Sequence, residues 1–409
     1  MFSLIGIPFC ASFSSAITNV CIGAATLAFF VKKAFTKDLQ RTFRQPIVLP
    51  FLLLILFSLI SFVNTVSLSA SFQGVGKLVR YLVLVLIVAE EVRDVRHAKR
   101  IVLSMLLGLL LVSLDGMFQL YVGHDLIRHR PVIVHLGLPR ITAAFAAPNM
   151  LGVYLVLFLP LGICRALYHD KGSQKYFSLV TSTFALFCLL STFGRGSFAG
   201  FLIALIFIGV MKKDKMIFTA LILLLAIIPI VLPQSIKDWK KTKVSFWEFL
   251  IDTQEHKGDQ RGSRIGDWRN ALNMIRHNPL TGVGVNTYVL NFEKYKVKDG
   301  SRYESDTQYS HNIYLHMVAE IGPFGLLAFF WLLVRVFRSG LHHLQSLESD
   351  FLKVTTLGAL AGLIAFLVNG LTETVLYYSK VVSLFWFCVG LVLAMPRLSK
   401  QTQGLQEVS

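Results

Sequence analysis

The chain alternates between long apolar runs and short polar segments along almost its whole length. A helix needs roughly 17 to 25 apolar residues to cross a bilayer. We predict eleven such runs, at 14–31, 46–64, 76–89, 101–122, 147–164, 177–193, 197–211, 215–233, 312–334, 352–371 and 380–396. The runs at 76–89 and 197–211 are short, so neighbouring residues must complete these crossings. Residues 1–13 are also apolar and predict a short twelfth helix that turns back at Ser14-Ser15.

One polar segment, 234–310, is far longer than the others and divides the chain. We expect N-terminal transmembrane helices over 1–233, a large extracytoplasmic loop over 234–310, C-terminal transmembrane helices over 311–396 and a cytoplasmic tail over 397–409. Composition agrees, with 54% hydrophobic and only 15% charged residues. The predicted fold is an all-α polytopic membrane protein, a single integral domain of about 11–12 helices whose long loop contains short amphipathic helices.

Basic residues are concentrated in every second loop. Lys and Arg are retained on the cytoplasmic side of short loops, which assigns to that side the segments 32–45, 90–100, 165–175, 211–215, 335–353 and the C-terminal tail. The loops between them, including 123–146 and 234–310, are then expected on the opposite side. The net charge of +17 largely reflects this anchoring, and no recognisable nucleic-acid motif accompanies it, so no nucleic-acid partner is predicted. The first 31 residues are uncharged and precede a basic cluster, the reverse of a cleavable signal peptide.

The five cysteines lie in or beside apolar runs at irregular spacings, which favours packing over a disulfide framework or a metal site. Paired carboxylates at ligand spacing are also lacking. We therefore predict neither a bound metal nor a cofactor.

Residues 310–325 combine a polar cluster with the start of an apolar run. Histidine exchanges a proton near neutral pH, and a carboxylate in lipid is costly unless it is satisfied, so His311 and Glu320 mark the edge of a candidate site. Nine helical steps place Glu320 about 180° from His311 and about 13 Å along the axis. A regular helix cannot pair them, and Glu320 is expected to be satisfied by another helix or by backbone.

The long loop contains a second predicted element, a helix over 263–276. Apolar residues at 265, 268, 272 and 275 have helical spacing, with Ser263 as N-cap and Asn278-Pro279 as the stop. An amphipathic helix on the outer membrane surface fits this pattern. The glycines that follow, at 282 and 284, predict a flexible turn that a ligand can approach closely, although the phosphate-loop signal is weak.

Four patches in order resemble the superfamily of O-antigen ligases and O-antigen polymerases. They are RITAAFAAPN at 140–149, STFGRGS at 191–197, Arg264 and Trp268 followed by NPLTGVG at 278–284, and the segment from His311-Asn312 through Glu320 and Gly322. Members of this superfamily are integral membrane glycosyltransferases that use glycans carried on undecaprenyl diphosphate. The resemblance spans residues 140–325 and is less specific for the individual reaction than for the superfamily.

The resemblance implies an inverting, metal-independent transfer at the periplasmic face of the bacterial inner membrane. The donor is a glycan on undecaprenyl diphosphate, and the acceptor is the lipid A core in a ligase or another glycan in a polymerase. Histidine suits proton removal and arginine suits diphosphate binding. By position, the family's base maps onto His311, and its diphosphate-binding arginines map onto Arg195 and Arg264. Supporting roles are expected for a further group of residues: Arg140, Asn149, Asn312, Tyr314 and Glu320.

Each assignment has a simpler alternative. His311 as an interfacial helix cap, Arg195 as a lipid anchor and Arg264 as a solvated helix residue all fit the local pattern. Glu373 is expected to be solvated. A buried ion pair between Arg80 and Asp115 is also a reasonable expectation.

A protein of another class, a polysaccharide flippase or other transporter, would place His311 and the arginines along a translocation path. Such a path needs polar residues deep in several spans, and this chain largely lacks them. The sequence does not separate ligase from polymerase.

Overall fold

The computed structural model describes residues 1–135, 138–231, 255–257, 260–300, 304–347 and 349–406. These ranges contain fifteen α-helices and two short antiparallel hairpins, Ile133–His135 with Leu138–Arg140 and Glu255–Lys257 with Gln260–Gly262. In chain order the helices are α1 Phe2–Phe13, α2 Ser15–Thr36, α3 Leu39–Phe43, α4 Val48–Ile60, α5 Leu68–Glu91, α6 Val95–Val122, α7 Pro148–Tyr168, α8 Gly172–Ser191, α9 Arg195–Lys212, α10 Lys215–Val231, α11 Arg264–His277, α12 Tyr288–Tyr295, α13 Ile313–Ser346, α14 Asp350–Asn369 and α15 Ser379–Gln406.

Every predicted apolar run coincides with a helix. Within the described ranges, eight helices are long and apolar enough to cross a membrane, namely α2, α5, α6, α7, α9, α13, α14 and α15. Of the other predicted runs, 46–64 forms α4 and its 3-10 extension Ser61–Asn64, 177–193 lies largely in α8, and 215–233 forms α10, with 232–233 outside the described residues. The short helix α1 also forms, and Ser14 caps α2 directly after it. The prediction of an all-α, multi-pass membrane protein is confirmed.

Helix α14 is held between α7 and α9 by glycines that allow close backbone approach. A Cβ at Gly362 would collide with the backbone of Leu157, and one at Gly200 would collide with the backbone of Ala365. Small residues at contact points are the usual means of packing helices within membranes. This packing fixes the end of α14, from which the loop carrying Glu373 emerges.

The basic loops gather at one end of the bundle, which we call the basic end. Lys33 Nζ lies 2.6 Å from Glu90 Oε2 and joins 32–45 to 90–100. The ring of Phe351 lies 5.7 Å from Lys99 Nζ and 5.5 Å from the His169 ring, which brings in two further loops. The intervening loops meet at the opposite end, here called the loop end. The alternation agrees with the charge pattern, while the side of the membrane that each end faces stays a prediction.

Helix α13 is broken at Gly322-Pro323, where Gly322 has φ 75° and ψ 174°. Proline has no N–H, so Pro323 cannot donate to the carbonyl of Ala319 as a regular helix requires. Val283 N donates to Ala319 O instead, at 2.8 Å, and Gly284 N donates to Glu320 O at 3.0 Å. A Cβ at residue 282 would collide with the Glu320 backbone. The glycine turn predicted to approach a ligand therefore approaches a broken helix.

Helix α11 forms with the predicted cap and stop, Gly266 N donating to Ser263 Oγ at 3.3 Å and the helix ending at His277. Its protein-facing side is not the apolar one. The buried residues are Gly266, Asp267, Asn270, Ala271 and Met274. At about 100° per residue, they lie roughly opposite the predicted apolar face, on which Leu272 is exposed. The other residues of that face, Ile265, Trp268 and Ile275, are half-buried, and Ile275 packs against the buried cluster that contains Ala271 and Met274. The placement of α11 on a membrane surface stays a prediction.

Candidate active site

Glu373 is the centre of a cluster at the loop end. Its side chain is only 7% exposed, and it accepts from four side chains. Oε1 accepts from Arg264 Nη2 at 2.7 Å and from Asn149 Nδ2 at 2.6 Å. Oε2 lies 3.1 Å from His311 Nδ1 and accepts from the Tyr378 hydroxyl at 2.9 Å. The expectation that Glu373 is solvated is wrong, because these partners satisfy the buried carboxylate.

The first patch reaches the cluster through Asn149, at the start of α7. Arg140 orients this amide by donating from Nη2 to Asn149 Oδ1 at 2.8 Å, while its Nε donates to Thr192 O at 2.8 Å. Arg140 therefore links the first patch to the turn of the second. In the supporting role expected of it, Arg140 would hold Asn149 and the backbone at Thr192 in place.

Arg195 lies at the edge of the cluster, as the first residue of α9, and is half-buried. The next residue, Gly196, packs so closely on Thr372 that a Cβ would collide with it. Ser197 Oγ accepts from Asn369 Nδ2 at 2.7 Å. These contacts place Arg195 beside the loop that carries Glu373.

Arg264 begins α11 and lies between two carboxylates. Besides its contact with Glu373, its Nη1 lies 3.5 Å from Asp267 Oδ2. Asp267 is buried and accepts from the Ser305 hydroxyl at 2.6 Å. The alternative of a solvated Arg264 does not fit these ion pairs.

The two carboxylates near Arg264 differ in their pKa values. Burial would raise the pKa of Glu373, but the charges of Arg264 and His311 outweigh it and bring this pKa to about 2. Burial dominates at Asp267 and raises its pKa to about 6, against the opposing effects of His311, Ser305 and Arg264. Glu373 is therefore ionised at neutral pH, whereas Asp267 titrates much closer to it.

His311 is held in a strained backbone conformation, with φ 46°. A non-glycine residue in this region costs on the order of 1 kcal/mol and persists only where its surroundings fix it. The neighbouring Asn312 helps to hold this conformation. Its Oδ1 caps α13 by accepting from Tyr314 N and Leu315 N, and its Nδ2 donates to Leu371 O at 3.0 Å.

The adjoining residues tie the same segment to the end of α14. Ile313 N donates to Gly370 O at 2.8 Å, and the Tyr314 hydroxyl donates to Leu367 O at 2.8 Å. The segments carrying His311 and Glu373 are thus joined independently of their side-chain contact. The Tyr314 side chain is half-buried and forms part of this link between the start of α13 and the end of α14.

Glu320 forms a second, separate cluster. It accepts from Tyr288 N at 3.0 Å and from the Tyr377 hydroxyl at 2.6 Å, both outside its own helix. His316 Nε2 lies 3.6 Å from Glu320 Oε1. The His316 ring stacks on Tyr288 at a centroid distance of 4.1 Å and makes a tilted contact with Tyr377 at 4.2 Å. Glu320 thus contacts a set of residues different from that of His311, which lies before the N-cap Asn312 and outside the helix.

The expected ion pair between Arg80 and Asp115 does not form. Arg80 Nη1 donates to Asn19 Oδ1 at 3.3 Å, and Asp115 Oδ1 accepts from Leu126 N at 2.8 Å. A loop backbone amide binds Oδ1 of the buried carboxylate, whereas the buried Oδ2 has no hydrogen-bond partner among the described residues.

The arrangement is suited to proton transfer beside fixed positive charge. When the Nδ1–H of His311 is directed at Glu373, its Nε2 is left as the basic nitrogen. Tyr378 and Asn149 hold the carboxylate from other directions, so the histidine is oriented by a rigid partner. Among the described residues, no group of three His, Cys, Asp or Glu side chains is arranged to hold a metal ion.

These features define a multi-pass helical membrane protein with a buried His–Glu–Arg cluster at one end. A family model described as O-antigen ligase matches residues 180–330. The match includes three of the four patches, supports membership of the O-antigen ligase superfamily and confirms the resemblance seen in the sequence. The family is of the ligase and polymerase type and suggests a glycosyltransferase-like enzyme of the bacterial inner membrane. No curated protein matches the chain significantly.

Proposed function

We propose that the protein transfers a glycan en bloc from undecaprenyl diphosphate to an acceptor hydroxyl, with inversion at the anomeric carbon and without a metal ion. The observation that carries this proposal is the contact of His311 with a buried carboxylate that also binds Arg264. It supplies a basic nitrogen and a positive charge within one cluster. We place the loop end at the periplasmic face, as the charge distribution predicts.

In the proposed step, His311 Nε2 removes the proton of the acceptor hydroxyl. The hydroxyl oxygen forms a bond to the anomeric carbon, and the bond from that carbon to the diphosphate oxygen breaks. The leaving electron pair stays on undecaprenyl diphosphate. Glu373 orients His311 and stabilises the imidazolium that forms, which is the usual contribution of a carboxylate behind a catalytic histidine.

Arg195 and Arg264 are proposed to bind the diphosphate as negative charge grows on it. A guanidinium remains charged and binds phosphate oxygens in a bidentate manner. The two carboxylates beside Arg264 fix the orientation of its guanidinium before substrate arrives, which lowers the cost of ordering it on binding.

We assign the lipid A core as acceptor, which makes the reaction an O-antigen ligation in lipopolysaccharide biosynthesis. The family description supports this choice. A polymerase would use the same cluster with a second lipid-linked glycan as acceptor, so the acceptor supplied to the purified enzyme distinguishes the two.

The test is an assay of purified full-length protein with a lipid-linked donor and a lipid A core acceptor. We expect a new glycosidic bond and release of undecaprenyl diphosphate only when both substrates are present, insensitive to a chelator. General base catalysis contributes roughly 10²- to 10⁴-fold, so His311→Ala should lose turnover by about that factor.

His277→Ala is the matched control, because this histidine lies exposed at the end of α11. Its turnover should equal that of the wild type. Full turnover in His311→Ala would refute the base assignment. Movement of lipid-linked glycan across vesicles without bond formation would instead identify a transporter.

A further inference from the structure

A cavity of about 300 Å³ lies at the loop end, beside the candidate active site. Its wall adjoins the cluster at two points. Tyr378 lines the cavity and donates to the same Glu373 oxygen that His311 contacts. Tyr309, another lining residue, precedes His311 by two positions. Along the route through Tyr378, the Tyr378 and Glu373 side chains separate a molecule in the cavity from the proposed base.

Three cationic side chains line the cavity, and none of its described lining residues is acidic. They are Arg128, Arg130 and Lys380. Lys380 Nζ donates to Phe13 O at 3.1 Å and to Ala144 O at 2.9 Å. These partners are uncharged, so they satisfy hydrogen bonds without neutralising the like charges.

The loop that carries the two arginines is pre-shaped by a buried carboxylate. Asp125 is fully buried. Its Oδ1 accepts from Ile127 N at 3.0 Å and from Arg128 N at 2.6 Å, and its Oδ2 accepts from Arg130 N at 2.7 Å. Both arginines are thus held at the cavity by their backbone, independently of any ligand.

Helix α1 adds a further constraint. Its last residue, Phe13, accepts through its carbonyl both from Lys380 and from Arg128 Nη2, the latter at 3.1 Å. Cations are favoured at a helix C-terminus, which explains how two of them are held together. That preference does not account for Arg130, or for a concave space lined by three cationic side chains beside the active cluster.

We propose that this cavity binds an anionic group, a phosphate or carboxylate, carried by the glycan acceptor. The inference rests on the proposed function and adds a substrate class to it. The acceptor is favoured over the donor because Tyr378 joins the cavity to Glu373, which binds His311, and His311 must reach the acceptor hydroxyl. Tyr309, which is 42% exposed, and Met150 supply an aromatic and apolar surface of the kind a sugar ring packs against.

The first experiment measures anion binding without turnover. Purified full-length protein in non-ionic detergent is melted with glucose 6-phosphate or with glucose at matched ionic strength. We expect the sugar phosphate alone to raise the melting temperature of the wild type, and the increase to disappear in the double variant Arg128→Gln/Arg130→Gln. The control, Arg269→Gln/Arg276→Gln, removes two charges from α11 and should keep the increase. No increase in the wild type, or an equal one in the cavity variant, overturns the anion site.

The second experiment identifies the substrate that carries the anion. In the transfer assay, loss of charged hydrogen bonds should raise the KM for the acceptor roughly tenfold or more in the cavity variant, with kcat and the KM for the donor unchanged. A rise in the donor KM alone, or equal use of an uncharged acceptor by both proteins, overturns the acceptor assignment. Absence of transfer in the wild type refutes the proposed function, and the melting experiment then decides the anion site by itself.

Discussion

Two clusters of the same composition lie close together at the loop end. One joins Glu373, His311 and Tyr378, and the other joins Glu320, His316 and Tyr377. The histidines are five residues apart and the tyrosines are adjacent. Each cluster has a buried carboxylate that contacts an imidazole and accepts from a phenol, so residue types alone do not distinguish a reactive site from a structural one.

The two clusters differ in the solvent exposure of the histidine and in the presence of an arginine. The side chain of His311 is 16% exposed, whereas that of His316 is 1% exposed and lies between two aromatic rings. The Glu373 cluster includes Arg264, whereas Glu320 accepts from the Tyr288 backbone amide and the Tyr377 hydroxyl. A histidine that substrate can reach beside a fixed cation is suited to catalysis. An enclosed histidine within an aromatic stack supports packing.

The carboxylates should give the largest contrast. Glu373→Gln keeps the shape of the side chain but removes the charge that orients His311, so we expect kcat to fall roughly 10²- to 10⁴-fold. Glu320→Gln should keep most of the activity and lower the melting temperature, because a buried hydrogen-bonded group is replaced. Transfer rates and melting temperatures of both purified variants provide the check. The reverse pattern would exchange the roles of the two clusters.

The two tyrosines should give a smaller contrast of the same kind. Tyr377→Phe removes the hydroxyl bonded to Glu320 Oε2 and should destabilise the fold by about 1–3 kcal/mol. Tyr378→Phe leaves His311 on Glu373 Oε2, so its main effect should be a several-fold loss of turnover. Denaturation and kinetics measured on the same preparations test this. Equal loss of stability in both variants with unchanged turnover would contradict the distinction.

The third contrast should be a pH dependence of stability at Asp267. Burial raises its pKa from 3.8 to about 6 in the folded protein. Because the folded state binds more protons than the unfolded state between these values, wild-type stability should fall across this window as pH rises. The variant Asp267→Asn lacks this dependence, so its stability relative to the wild type should improve from pH 4 to 6.5 and then level off.

The contribution of Glu373 to stability should change with pH in the opposite direction. Its pKa is lowered from 4.5 to about 2, so the stability that its charge contributes is present above pH 4.5 and is lost as pH falls toward 2. Melting temperatures over pH 2 to 7 for wild type, Asp267→Asn and Glu373→Gln separate the two effects. A Glu373→Gln curve parallel to the wild type at low pH would contradict the assigned charge state.

The apolar runs predicted the helices well, because a span must be apolar over a length that bilayer thickness sets. Ser263 and the Asn278-Pro279 stop predicted α11 because caps act locally. The same periodicity did not show which face meets the protein, since the buried side of α11 carries Asp267 and Asn270. In a membrane protein, the apolar face of an interfacial helix is free to face lipid.

The sequence did not identify Glu373, Tyr378 or Asp267 as site residues. Glu373 does have a signal, because it is the only charged residue between Lys353 and Lys380, and a lone carboxylate at a span boundary needs a partner. Which partner it finds depends on contacts between segments more than 100 residues apart, such as the one with Arg264. Spacing along the chain does not encode such distances.

The break in α13 has a consequence for exchanging parts between relatives. Because Val283 N and Gly284 N donate to the carbonyls of Ala319 and Glu320 at the break, the turn and the kinked helix behave as one unit, although the whole of α12 separates them in sequence. A chimera that takes α13 from another member should therefore take residues 280–286 with it. The segment to exchange is therefore defined by the contacts of the broken helix, and its boundary does not coincide with the ends of the extramembrane loop.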